Sequence, residues 1–252
     1  MATLANRALP PARLDRLFFS GMALSLAAFV FAGFAPTYYL LGVLHGTTVS
    51  GFADGAGLTP LVHAHALVNT AWMLQLVAKT GLISGGRADL HRRIGPLAAA
   101  LIPAVLILGL WTAIVAGQLH HGPPGRDPRA FLIFPLSSAI GFAILAGLGV
   151  WWRNRPGTHK RLMILATIAA ALPAGARLTN AIPAIGLPAG PIGGMILSNI
   201  FLAALVAYDM MFLRRLHPAT AWGGGALLLS EPARVMIGGS AAWQGFAALL
   251  IG

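Results

Sequence analysis

Residues 60–119 read PLVHAHALVNTAWMLQLVAKTGLISGGRADLHRRIGPLAAALIPAVLILGLWTAIVAGQL, and this stretch decides the fold. It contains two apolar runs, 60–83 and 96–119, which are separated by a turn with three arginines. A helix needs about 20 mostly apolar residues to cross the hydrocarbon core of a bilayer. Both runs reach that length, so the stretch predicts a transmembrane helical hairpin with a positively charged turn.

The same alternation of long apolar runs and short turns continues along the chain. It predicts seven membrane-crossing helices, at 17–40, 60–83, 96–119, 131–151, 161–180, 191–213 and 220–237. Residues 241–251 predict a short helix at the interface, and the carboxyl-terminal segment either spans once or lies there throughout. Apolar residues make up 57% of the chain and charged residues 9%, against about 25% charged residues in soluble domains. We therefore expect one all-α transmembrane domain over residues 1–252.

The basic residues fall mostly on one side of this layout. Of the 17 Lys and Arg residues, those in the amino-terminal flank or at alternate turns on its side are Arg7, Arg13, Arg16, Lys79, Arg87, Arg92, Arg93, Arg153, Arg155, Lys160, Arg161, Arg214 and Arg215. Cytoplasmic loops are enriched in Lys and Arg. The amino terminus is thus predicted to be cytoplasmic, and the protein to lie in a bacterial inner membrane.

The net charge of +11 does not indicate a nucleic-acid-binding protein, because the basic residues are grouped at helix ends. The expected partners are the lipid bilayer and its anionic headgroups. The chain has no cysteine, which excludes thiolate ligands, disulfides and thiol nucleophiles. It also lacks the sequence motifs of zinc proteases, P-loop enzymes and serine hydrolases. Whether the protein is an enzyme is left open.

The eight histidines are predicted to form two layers. Those near the outer surface are His45, His63, His65, His120 and His121, and those near the inner surface are His91, His159 and His217. Two such layers are typical of a membrane cytochrome that holds haem b near each surface. His65, His91 and His159 are the candidate haem ligands. The alternative is that these histidines are simply polar residues at a polar boundary.

His65 is the strongest single candidate for a cofactor ligand. Asn69 and Trp72 follow it at i+4 and i+7, on one helical face that lipid cannot satisfy, so all three are expected to face the interior. His63 lies about 200° away around the helix, so the His-x-His pair cannot easily hold one metal ion. The candidate metal ligands are His63, His65, His120 and His121. A bundle-facing His65 can alternatively bond a neighbouring helix.

Ionisable residues inside a predicted span are costly and point to function. Polar residues in the outer half of the bundle predict a ligand cavity: Arg177, Asn180, Asn199 and Glu231. Small anions, a quinone head group or a metal would suit this cavity. A fully paired polar network without a ligand is the alternative. Asp209, near the inner surface, is expected to reach Arg214, Arg215 or the headgroups.

A weak internal repeat is visible on the inner side. The sequence His91-Arg92-Arg93-Ile94 leads into the third predicted helix, and His159-Lys160-Arg161-Leu162 leads into the fifth. The two hairpins would then be parallel copies, although coincidence in an Ala- and Leu-rich chain is the alternative. Basic side chains beside free N–H groups at a helix start also suggest a bound anion, such as a lipid phosphate, a substrate phosphate or a haem propionate.

Several motifs resemble those of a group of bacterial multi-pass integral membrane proteins of unknown function. The resemblance rests on His65, on the segment LHRRIG at 90–95, on HKRLM at 159–163 and on HPAT at 217–220. It covers most of residues 60–245 and implies a membrane bundle without a known activity. The chain is more distantly similar to cytochrome b561-like haem proteins, on the layering of its histidines, and that similarity implies haem b.

Three functions remain open from the sequence. The first is a redox protein that binds b-type haem or a metal through histidines. The second is a transporter or small-molecule-binding protein with an outer-facing polar cavity. The third is an accessory or assembly protein without a cofactor.

Overall fold

All long elements in the described part of the chain are helical. The computed structural model describes residues 11–44, 58–121 and 125–252, so Arg7 and His45 lie outside it. The α-helices are α1 (Pro11–Phe34), α2 (Leu41–Leu44), α3 (Pro60–Ser84), α4 (Ala88–Arg93), α5 (Gly95–Gln118), α6 (Pro128–Trp151), α7 (Pro156–Ala181), α8 (Pro191–Tyr208), α9 (Pro218–Gly238) and α10 (Ala241–Ile251). Short π-helical segments, Ala35–Tyr39 and Asp209–Leu213, extend α1 and α8. The predicted all-α class is confirmed.

Six of the described helices are long and apolar enough to cross a membrane. They are α1, α3, α5, α6, α7 and α8, with the π-helical extensions included in the first and last. Helices α9 and α10 pass the same test only together, and they meet at an angle of 80°. The protein is therefore a multi-pass membrane bundle with six to seven candidate spans.

The two ends of the bundle differ in charge. One end carries the turns after α3, α6 and α8, with their arginines, and is called the basic end here. The other end carries the turn after α5 and helix α10. Helix α1 begins at Pro11, six residues before the start of the predicted span at residue 17. Its first turns include Asp15, which contacts α7 and α8. Asp15 accepts hydrogen bonds from Lys160 Nζ at 2.5 Å and from Tyr208 Oη at 2.6 Å.

Helix α7 occupies the centre. It packs against α1, α6, α8 and α9. Of its most apolar 18 residues, 72% are buried, whereas the corresponding share for α5 is 17%. Small residues permit this close packing. A Cβ added to Gly33 of α1 would lie 2.5 Å from the Ala174 carbonyl oxygen, and one added to Gly175 would lie 2.8 Å from that of Gly194.

An ion pair joins α7 to the end of α8 at the basic end. Arg161 donates to both carboxylate oxygens of Asp209, with Nε at 3.0 Å from Oδ1. Asp209 also accepts from the backbone N–H of His217 at 3.1 Å. The expectation that Asp209 reaches Arg214 or Arg215 is therefore corrected: α7 presents a guanidinium from inside the bundle, and both partners are buried.

Candidate functional site

A cavity of about 410 Å³ lies between α1, α3, α5, α6 and α7, in the half of the bundle away from the basic end. Its walls are mainly aliphatic and aromatic. Met73, Val105 and Phe142, which lie near the middle of their helices, line the deepest part of the cavity. Phe142 also packs edge-on against Trp72, with ring centroids 4.7 Å apart. The volume falls in the range of small-molecule sites, about 300–1,000 Å³.

Four of the polar residues singled out in the sequence line this cavity together: His65, Asn69, Arg177 and Asn180. Asn69 Nδ2 donates to the His65 carbonyl at 2.8 Å and lies 3.4 Å from His65 Nδ1. Arg177 Nη1 donates to the Pro173 carbonyl at 3.2 Å, and its guanidinium lies 4.3 Å from the centroid of the Phe34 ring. Arg177 is also close enough to His65 to interact with it electrostatically.

Three hydroxyl groups in the same wall were missed by sequence reasoning. Thr37, Thr112 and Ser138 line the cavity, and their buried hydroxyl oxygens have no hydrogen-bond partner among the described residues. The neighbouring Ser137 differs, because its Oγ donates to the Ile133 carbonyl at 2.5 Å. Buried hydroxyl groups usually have partners. The sequence carries no signal that separates Ser138 from Ser137, since both lie in one apolar run.

Three other residues of the predicted sites, Trp72, Asn199 and Glu231, lie outside the cavity wall. Trp72 does not line the cavity; it is buried beneath it and donates from Nε1 to Thr167 Oγ1 at 3.1 Å. Asn199 and Glu231 are also absent from the lining, because Asn199 Nδ2 on α8 donates to the Glu231 carboxylate on α9 at 2.9 Å. Of the four residues predicted to line the ligand cavity, Arg177 and Asn180 do line it, whereas Asn199 and Glu231 form a separate hydrogen-bonded pair.

The candidate metal ligands lie near the same end as the cavity. His63 and His65 point apart, as their spacing predicts: His63 is exposed and its Nδ1 lies 3.1 Å from Tyr38 Oη. His121 lines the cavity, and His120 lies in the turn before it. Across the described ranges, no three His, Asp or Glu side chains are grouped as a metal ion would require. Metal binding by these histidines stays a prediction.

The candidate haem ligands are divided between the two ends. His65 lines the cavity, whereas His91 in α4 and His159 in the first turns of α7 meet at the basic end, with ring centroids 6.2 Å apart and perpendicular planes. His91 Nδ1 lies 3.2 Å from the carbonyl oxygen of Lys79, and His159 Nδ1 lies 2.8 Å from that of Gly149. In each of the two predicted hairpins, the Nδ1 atom of the histidine thus lies next to a carbonyl oxygen of the preceding long helix.

Burial governs the charge of His91, which lies outside the spans. Desolvation lowers the pKa of its imidazole, the hydrogen bond to the Lys79 carbonyl partly offsets that effect, and the positive charges of Lys79 and Arg92 lower the pKa further. An imidazole whose pKa lies below its ordinary value of about 6.5 is mainly neutral near pH 7. The imidazole then offers an unprotonated Nε2, because Nδ1 carries the proton that the carbonyl accepts.

Comparisons with known proteins give a partial relative only. No protein-family model and no solved structure matches the chain. The disulfide bond formation protein B 2 of Pseudomonas entomophila (strain L48) is 39% identical over 51 residues, which cover 20% of this chain and 30% of that protein. The chain thus spans well under half of the length of this curated relative. Because it has no cysteine, its own side chains cannot exchange thiols and disulfides.

Proposed function

We propose that this multi-pass membrane protein binds a lipid-soluble small molecule with an electron-rich head group, in the cavity between α1, α3, α5, α6 and α7, and that it does so in a bacterial inner membrane. The observation that carries the proposal is the set of polar groups in one otherwise apolar cavity. A ligand with an apolar body and acceptor atoms would bury its body against the aromatic walls and offer those atoms to the polar groups.

The donors in the wall select the chemistry of the head group. Arg177 has only donors, and the hydroxyls of Thr112 and Ser138 donate readily to a carbonyl or a carboxylate. Among the described residues that line the cavity there is no Asp or Glu. A cationic ligand would therefore find no carboxylate in this wall, whereas a ligand with carbonyl or carboxylate oxygens would find several donors.

These polar groups lie at two depths. At 1.5 Å per residue, Arg177 lies about 6 Å from the end of α7, while Ser138 lies about 15 Å along α6 from its start at the same end of the bundle. A head group with acceptors on opposite sides fits two such levels better than a single carboxylate does. Among lipid-soluble molecules, a para-quinone has this form, with two carbonyl oxygens that point in opposite directions. We therefore name a quinone as the ligand class.

Replacing Ser138 with alanine should weaken binding of decylubiquinone, and replacing Ser137 should not. The Ser138 hydroxyl is free for the ligand, and a neutral hydrogen bond contributes about 0.5–1.5 kcal/mol, so a loss of about twofold to tenfold in affinity is expected. Ser137 already donates to Ile133. The measurement is the quinone-dependent rise in the unfolding temperature of the purified protein in nanodiscs. Equal rises for S138A, S137A and the unaltered protein would contradict the proposal.

Replacing Arg177 with glutamine should reduce the affinity more strongly. Hydrogen bonds to charged groups contribute about 1.5–3 kcal/mol, so a loss of at least about tenfold is expected. Sodium decanoate serves as the second probe. If decanoate binds and depends on Arg177 while decylubiquinone does not bind, the cavity takes an anionic amphiphile and not a quinone. If neither probe binds, the cavity is not a ligand site of this kind.

The same purified protein also tests the haem reading. A Soret band that disappears in His65→Ala would show that haem, and not a quinone, occupies the cavity. A colourless preparation that binds decylubiquinone supports the proposal. Because the spectrum needs no added ligand, it separates the two readings before any titration.

A further inference from the structure

We propose that Gln75, Lys79, His91 and His159 form a second site, at the basic end, which binds a phosphate group. It lies on the far side of the Trp72–Phe142 contact from the cavity, so it does not depend on the function proposed above. The four side chains come from α3, α4 and α7.

Two buried polar side chains on α3 carry the inference. Lys79 is 7% exposed and Gln75 is 5% exposed, and they lie one turn apart on the buried face of the helix. Neither amide atom of Gln75 has a hydrogen-bond partner in the described part of the chain. Among the described residues, no ion pair joins Lys79 to a carboxylate. Buried polar groups without partners are costly, and a bound ligand would remove that cost.

The two histidines add matched nitrogens to this pair. A carbonyl oxygen only accepts, so Nδ1 of His91 and Nδ1 of His159 carry the protons that Lys79 and Gly149 receive at their backbone oxygens. Each Nε2 is then left for another partner. The ammonium of Lys79 lies close enough to both rings to act on them electrostatically.

The charges around the site select an anion. A metal cation would be repelled by the ammonium of Lys79 at the edge of the two imidazoles. Helices α5 and α7 both begin at this end, and free N–H groups at a helix start favour negative charge. The acidic residue of the same turn, Asp89, pairs with Arg87 at the surface, with 3.5 Å between Nε and Oδ1. A phosphate would accept from Lys79 and the Gln75 amide, and from His91 and His159 once they are protonated.

The phosphate belongs either to a lipid headgroup or to a free ion, and two probes separate these sources. Delipidated full-length protein in detergent is titrated with inorganic phosphate, measured by the shift in unfolding temperature, and with a short-chain phosphatidylglycerol, measured by native mass spectrometry. Binding of the lipid with no effect of inorganic phosphate assigns the site to a headgroup. Binding of inorganic phosphate that the lipid does not compete for assigns it to the free ion.

Lys79→Met should lower the affinity for the bound probe by about tenfold or more, because a charge-assisted hydrogen bond is lost. Gln75→Leu is the second variant; it removes a buried amide without a partner, so the protein should fold at least as well while its affinity falls about threefold to tenfold. Arg153→Met is the matched control, an exposed cation at the same end, and should bind as the unaltered protein does.

Two results would overturn the inference. In the first, Lys79→Met and Gln75→Leu bind both probes as tightly as Arg153→Met does. The binding would then come from the overall positive charge of the basic end and not from a site formed by these side chains. In the second, the purified protein carries a Soret band that both His91→Ala and His159→Ala abolish, which would make the histidine pair a haem site.

Discussion

Asp209→Ala is expected to destabilise the folded protein by about 3–5 kcal/mol, because it leaves a buried guanidinium without its carboxylate. Arg161 is 2% exposed and Asp209 is fully buried, so water cannot replace the lost partner. The backbone N–H of His217 loses its acceptor in the same variant. Unfolding of the purified protein in mixed micelles, followed by far-ultraviolet circular dichroism, measures the change.

Two further variants test that explanation. The surface pair of Arg87 and Asp89 has both side chains more than half exposed, so Asp89→Ala should cost no more than about 1 kcal/mol. The double variant Arg161→Met with Asp209→Leu removes both charges, and it should be more stable than Asp209→Ala alone. If Asp209→Ala costs no more than Asp89→Ala, the buried ion pair does not stabilise the bundle as argued.

Gly33→Ala and Gly21→Ala are expected to change stability in opposite directions, although both glycines lie in α1. A Cβ at position 33 would sit 2.5–2.8 Å from three backbone atoms of Ala174, so the two helices would have to separate. Such overpacking costs about 1–3 kcal/mol. A Cβ at position 21 meets nothing within 4 Å, and alanine favours a helix over glycine by up to about 1 kcal/mol.

The same unfolding measurement compares the two glycine variants. A destabilised Gly33→Ala beside an unchanged or stabilised Gly21→Ala would support direct packing of α1 on α7. Equal effects at both positions would mean that the contact between Gly33 and Ala174 does not limit how closely these helices approach.

The architecture could be predicted from the sequence because lipid constrains it strongly. A span must be long, apolar and helical, so the lengths of the apolar runs indicate the helices directly. The polar residues on α3 and α7 could likewise be predicted to face the interior, since His65 and Arg177 would be unfavourable against lipid. The structure does place both in the wall of one cavity.

The partners of these residues could not be predicted in the same way. Periodicity indicates which face of a helix is buried, but not which neighbour it meets. Asp209 was expected to reach Arg214, Arg215 or the headgroups, and it pairs with Arg161, which lies 48 positions earlier. Glu231 was assigned to the cavity of Arg177, and it binds Asn199 instead.

The central position of α7 has a consequence for biogenesis. When α7 leaves the translocon it carries Arg161, yet the carboxylate that neutralises this arginine is still to be synthesised with the end of α8. Until then the guanidinium of Arg161 is without the carboxylate that it pairs with in the folded bundle, and an unpaired charge is costly in lipid. Integration of α7 should therefore be delayed until α8 emerges, and nascent chains stalled between the two helices should be the forms that membrane proteases remove.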